Sequence, residues 1–86
     1  MAYKLIYARS AFKDIQKLDS IAKKRIKKKI EEYAANPIKS AKKLISSRIG
    51  TYRWRAGNYR IVFDIEHENI IILRIGHRKE IYSVKH

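Results

Sequence analysis

The sequence predicts a small α+β domain: an N-terminal strand, a two-helix hairpin, then an antiparallel meander of three to four strands with both helices on one sheet face. Three observations carry this. Apolar residues recur at helical spacing only between residues 11 and 34. Runs rich in β-branched and aromatic residues fill 51–75, broken only by the dipeptides Gly57-Asn58 and His67-Glu68. The 86 residues, read as a single domain over 1–86, allow one modest core and leave no room for a second.

Each element follows from local pattern. Tyr3 to Tyr7 alternates weakly and reads as a first strand. Ser10 is suited to cap a short helix whose apolar stripe is Ala11, Phe12, Ile15 and Leu18. Asp19 or Ser20 then caps a longer helix with Ala22, Ile26, Ile30, Tyr33 and Ala34 buried, and Asn36-Pro37 stops it. From Ile38 to Gly50 the pattern weakens into a polar, basic connection with room for one helical turn. Three strands follow, Thr51 to Ala56, Tyr59 to Glu66 and Asn69 to Ile75. The third is apolar on both faces for most of its length, so it should be central. Gly76 to Glu80 reads as a polar loop leaving the sheet, with Ile81-Tyr82 returning to it. The helix pair is not a DNA-reading helix-turn-helix: the turn near Asp19 lacks glycine and the second helix is lysine-rich almost all round.

Composition narrows the function. Twenty-one Lys and Arg against eight Asp and Glu give a formal charge of +13, the balance of a protein that meets polyanions or acidic partners. Residues 1–50 hold fourteen basic and four acidic side chains, 51–86 seven and four. The front half therefore supplies long-range attraction, and the back half fewer basic groups in more defined places. Cysteine is absent, so no disulfide or thiolate metal site staples the fold. No His and acidic set has metal-ligand spacing, and no glycine-rich phosphate loop is present. The longest apolar run is Ile70 to Leu73, and the N-terminus is too short and too soon charged for a secretory signal, so a cytoplasmic protein is the expectation.

The defined places centre on a hairpin. A two-residue turn at Gly57-Asn58 sets Ala56 opposite Tyr59, Arg55 opposite Arg60 and Trp54 opposite Ile61. Alternation puts Arg53, Arg55 and Arg60 on one face, and Tyr52, Trp54, Ile61 and Phe63 on the core face. Like charges opposed across strands are destabilising, so a fold that keeps Arg55 against Arg60 has something anionic to put there, a phosphate being the natural candidate.

Two stretches, Tyr52-Arg53-Trp54-Arg55-Ala56-Gly57-Asn58-Tyr59-Arg60-Ile61-Val62-Phe63 and Leu73-Arg74-Ile75-Gly76-His77-Arg78-Lys79-Glu80-Ile81-Tyr82, resemble the RelE/ParE superfamily of toxins from toxin–antitoxin pairs. The likeness runs over essentially the whole chain, including Ala11 to Leu18 and the Pro37 break. It implies the RelE-like microbial RNase fold and a metal-independent, cofactor-free endoribonuclease that cuts messenger RNA in the ribosomal A site. The messenger's 2′-hydroxyl would attack the adjacent phosphorus. A cognate acidic RelB-like antitoxin would hold the toxin inactive, a heterotetramer being one assembly the resemblance allows.

By the same resemblance, Arg53 and Arg55 match two basic residues of the family's second strand that are lysines in the best-known member. Arg60 matches the arginine after the turn, Arg78 that of the final loop, and Tyr82 the aromatic that stacks on a base. Arginine holds its proton too tightly to act as a base, so His77, and after it Glu80, is the candidate for proton transfer. Each choice has a plainer counterpart. His77 could be a loop histidine bonded to backbone, Tyr82 could pack beside Ile81, and Lys23 to Lys29 reads as a solvated helix face that also meets ribosomal RNA nonspecifically. Two other functions fit the same chain: a ParE-like inhibitor of DNA gyrase, and a catalytically weak RNA- or ribosome-binding domain.

Overall fold

The computed structural model describes residues 3–44 and 49–81. In chain order these form β1 (Lys4–Tyr7), α1 (Arg9–Gln16), α2 (Ser20–Ala34), β2 (Lys42–Lys43), β3 (Tyr52–Ala56), β4 (Tyr59–Glu66), β5 (Asn69–His77) and α3 (Arg78–Ile81). The strands make one five-stranded sheet in the order β1-β5-β4-β3-β2. β1 lies parallel to β5, and the other neighbours are antiparallel. The α+β class expected from the sequence is present, and the third strand of the meander, β5, is an interior strand between β1 and β4, with β4 at the centre. Among the described residues no helix is long and apolar enough to cross a membrane.

The core lies between the sheet and the α1–α2 pair. Trp54, Ile61, Phe63, Ile70 and Ile72 are fully buried, joined by Ala11, Ile26 and Ile30 from the helices. The Trp54 ring stacks on Phe63 at 3.9 Å between centroids, and its Nε1–H donates to the Pro37 carbonyl at 2.9 Å. Pro37 and Trp54 thus join the α2 exit to the hairpin. Asp19 is the α2 N-cap, its side chain accepting from the Ala22 N–H at 2.8 Å.

Four expectations are corrected. Ser10 does not cap α1: Ala8 occupies that position, and the Ser10 hydroxyl donates instead to the Leu73 carbonyl at 2.6 Å. Phe12 is 57% exposed, because the stripe α1 turns to β5 is Ala11, Asp14 and Ile15, with Phe12 rotated away. The connection from Ile38 to Gly50 contains a strand, two-residue β2, whose Lys42 pairs with Arg53 and Lys43 with Tyr52. Gly76 and His77 are not loop: they continue β5, and Arg78 to Ile81 close into one helical turn. Tyr82 lies outside the described residues.

A bulge shapes the last strand. Phe63 pairs with Ile72 but Val62 with Arg74, so Leu73 is extra and the alternation slips by one. Ile75 therefore joins Ile70 and Ile72 in the core, where strict alternation would put it with Ile71 and Leu73.

Candidate nucleic-acid interface

The hairpin register is that expected from its turn. Gly57 takes φ +63°, and Tyr52, Arg53, Trp54, Arg55 and Ala56 pair with Phe63, Val62, Ile61, Arg60 and Tyr59. Arg53, Arg55 and Arg60 consequently share the face away from α1 and α2, and β2 adds Lys42 beside Arg53. Sequence reading missed Lys42, since a two-residue strand is too short to show a period. Asp64 shares this face through its place two residues after Val62, and its carboxylate is engaged by the Thr51 N–H at 2.7 Å. The face is thus strongly cationic.

Arg55 and Arg60 do not simply repel. Arg55 Nε donates to the Gly57 carbonyl at 3.4 Å, and Arg60 Nη1 donates to the same oxygen and to the Tyr59 carbonyl, both at 3.1 Å. The carbonyl's negative end lies between the two cations. Arg60 is only 8% exposed whereas Arg55 is exposed, so the pair comprises one fixed and one accessible guanidinium. Gly76 is the cross-strand neighbour of Arg60 on β5, and a Cβ there would meet Ile81 at 3.7 Å. α3 therefore packs back against the end of β5 beside Arg60's strand neighbour.

Arg78 reaches the same turn by its backbone, its N–H donating to the Asn58 carbonyl at 2.9 Å, while its side chain is exposed. Arg55 and Arg60 thereby meet at the Gly57-Asn58 turn by their side chains, and Arg78 by its backbone. His77 is placed apart from them. It pairs with Tyr59 on the opposite face, its ring edge-on to the Tyr59 ring at 6.1 Å, and its Nδ1 accepts from the Lys79 N–H at 3.4 Å. With Glu80, Asp14, Lys17 and Arg74 it lines a cleft of about 290 Å³ between α1 and the end of β5.

Asp14 fixes that strand end. β1 stops opposite Ile72, which leaves the next stretch of β5 without a strand neighbour on that side. The Asp14 carboxylate takes the vacant place, accepting from the Ile75 N–H at 2.9 Å and from Arg74 Nε at 2.7 Å and Nη2 at 3.3 Å. Its hydrogen bond to the Arg74 side chain raises that guanidinium's pKa above the ordinary value, with burial acting the other way. The bulge, and the position of Gly76 against Arg60, are held from α1.

Residues 5–82 match the family model of the ParE toxin of type II toxin–antitoxin systems. The chain belongs to the RelE/ParE toxin superfamily. This superfamily toxin is 37% identical over 84 residues to Toxin RelE3 of Methanocaldococcus jannaschii, covering 93% of this chain and 96% of that one. Among solved structures it resembles the RelBE2 toxin–antitoxin complex of Mycobacterium tuberculosis, with TM-score 0.81, 26% identity, and coverage of 91% of this chain and 100% of the other. It also resembles the RelB–RelE antitoxin–toxin complex of Methanococcus jannaschii, with TM-score 0.73, 34% identity, and coverage of 94% and 99%.

Proposed function

We propose that this toxin is a ribosome-dependent endoribonuclease that cleaves messenger RNA in the A site, with the arginine face holding the scissile phosphate. The observation that supports this most is the meeting of the Arg55 and Arg60 side chains at one turn, to which Arg78 is tied by its backbone, with Arg53 and Lys42 on the adjoining strands. A guanidinium grips phosphate oxygens bidentately and stays charged throughout. Attack of the 2′-hydroxyl on phosphorus builds negative charge on those oxygens, and cations fixed beforehand stabilise that charge more than it is stabilised in the ground state. As the O2′–P bond forms the P–O5′ bond breaks, and the leaving oxygen takes a proton from the protonated base or from water, so that the products are a 2′,3′-cyclic phosphate, or the 3′-phosphate its hydrolysis gives, and a free 5′-hydroxyl.

Arginine cannot take the 2′-hydroxyl proton, which falls to His77 first and Glu80 second. Both line the cleft across the strand from Arg60, so the substrate must pass round the end of β5 for either to act. Tyr82 stacks on a base in this reading. The partner is an acidic RelB-like antitoxin that covers the basic surface, consistent with the complexes in which the structural relatives occur.

Purified toxin is mixed with ribosomes carrying a defined message, and cut ends are mapped by primer extension. A-site cleavage by the wild type and its loss in Arg60→Ala are expected; normal cleavage by that variant removes the site assignment. Full activity in His77→Gln would remove the proton-transfer role alone. The ParE name of the matching family model favours one other reading. Gyrase-dependent DNA breakage without RNA cleavage would establish it.

A further inference from the structure

We propose that the exposed face of α2 is a second RNA surface that grips the phosphate backbone of a duplex, separate from the arginine face. Six of the seven residues from Lys23 to Lys29 are basic. They fill the solvent arc left by Ala22, Ile26 and Ile30, which point into the core. At 1.5 Å rise per residue, six charges lie within about 9 Å of helix axis, roughly one per 1.5 Å. Double-stranded DNA carries about one negative charge per 1.7 Å of axis. Lys24, Arg25, Lys28 and Lys29 line one stretch of this surface, so a duplex laid along it meets four of the six charges.

Inside the described fold one ion pair answers this charge. Lys29 approaches Glu32 at 3.8 Å and lies over the Tyr33 ring at 5.7 Å. Lys23, Lys24, Arg25, Lys27 and Lys28 have no ion pair with a described residue, and all five are exposed. The pairs Lys23 with Lys27, Lys24 with Lys28 and Arg25 with Lys29 stand four residues apart, a spacing at which like charges repel. The basic run fills the middle of α2, while Glu31 and Glu32 lie in its last turn, against the helix dipole. A helix that carries these costs against one exposed ion pair is suited to an external polyanion. Because α2 lies on the core side of the sheet and the arginines on the other, one molecule can hold structured RNA and a single-stranded message at once.

The proposal builds on the RNA-directed reading above, yet its test needs no cleavage. Binding of the full chain to a fluorescent 16-base-pair RNA duplex is followed by anisotropy across a KCl series, and log K is plotted against log [KCl]. Lys24→Gln, Arg25→Gln and Lys28→Gln together should flatten the slope by about 2.7, at about 0.9 for each phosphate no longer neutralised. Arg53→Gln with Arg55→Gln should change it by less than about 1. An unchanged slope in the triple variant, or a larger change in the double, would overturn the assignment. So would tenfold tighter binding of polyglutamate than of duplex at equal salt, which would make the partner an acidic protein. Cleavage failing while the slope behaves as expected would discard only the nuclease reading.

Discussion

Removing the Asp14 carboxylate should destabilise the toxin by about 1–4 kcal/mol. The larger part comes from the Ile75 N–H, whose acceptor among the described residues is Asp14 Oδ2, at a strand edge that α1 covers. An unsatisfied buried donor costs about 1–3 kcal/mol. The smaller part comes from Arg74, whose side chain is 43% exposed and recovers water when its partner leaves, so the ion pair itself contributes no more than about 1 kcal/mol. Chains of this size are stable by roughly 4–13 kcal/mol, so Asp14→Ala forfeits a substantial share. Urea unfolding followed by circular dichroism gives the measurement. With m near 1 kcal/mol per molar, the midpoint should fall by about 1–4 M. Asp14→Asn keeps a carbonyl oxygen for Ile75 and should recover about half of the difference. Arg74→Ala should cost less than either. A midpoint for Asp14→Ala within about 0.5 M of wild type, or Arg74→Ala as damaging as Asp14→Ala, would refute the assignment of the energy to the strand edge.

Other substitutions probe the frame around the site. His67 begins the β4–β5 turn at φ 56°, a region costly for a side-chain-bearing residue, so His67→Gly should stabilise by about 0.5–1 kcal/mol, seen as a rise of a few degrees in Tm. A Cβ at Gly50 would come within 2.5 Å of Val62 Cγ1 and 2.9 Å of Leu73 Cδ1, so Gly50→Ala should cost about 1–3 kcal/mol by urea unfolding. Burial, and secondarily Glu31, raises the Tyr7 pKa above 10.0. The fold therefore favours the protonated phenol, and its contribution is complete below the unfolded value and lost as pH rises through the folded one. Tyr7→Phe should lose less stability than wild type between about pH 9 and 11 in paired urea titrations.

The sequence disclosed most where one residue type imposes one geometry. Gly57 allows a positive φ in a two-residue turn, and that turn fixes the register of every pair from Tyr52 with Phe63 to Arg55 with Arg60. Asp19 before an apolar period of 3.6 marks the start of α2 and its buried stripe. The bulge at Leu73 is hidden because apolar residues occupy both parities of β5, so a one-residue slip leaves no trace in the pattern. Ser10 misleads because the hydroxyl that suits a helix cap also suits a bare strand carbonyl, and here Leu73 supplies one. Asp14 has the pattern of solvated helix surface. Its partners lie 60 and 61 residues further along the chain, beyond any local pattern.

The opposition of Arg55 and Arg60 calls for a negative group between them, and the shared Gly57 carbonyl is a partial internal answer. That answer divides the two arginines. Arg60 is buried and bonded to two carbonyls, which makes it a fixed charge at the base of the face, where surrounding protein screens it less than water would. Arg55 is exposed and commits only Nε of its five N–H donors, through a long bond of 3.4 Å. The Arg53 side chain makes no hydrogen bond or ion pair with any described residue, and its strand position is paired with Lys42. A phosphate arriving here would meet the uncommitted forks of Arg53 and Arg55 over a field already set by Arg60. Electrostatic stabilisation is most effective in that arrangement, because the charge that need not move is in place before the reaction begins and the groups that grip are free to adjust.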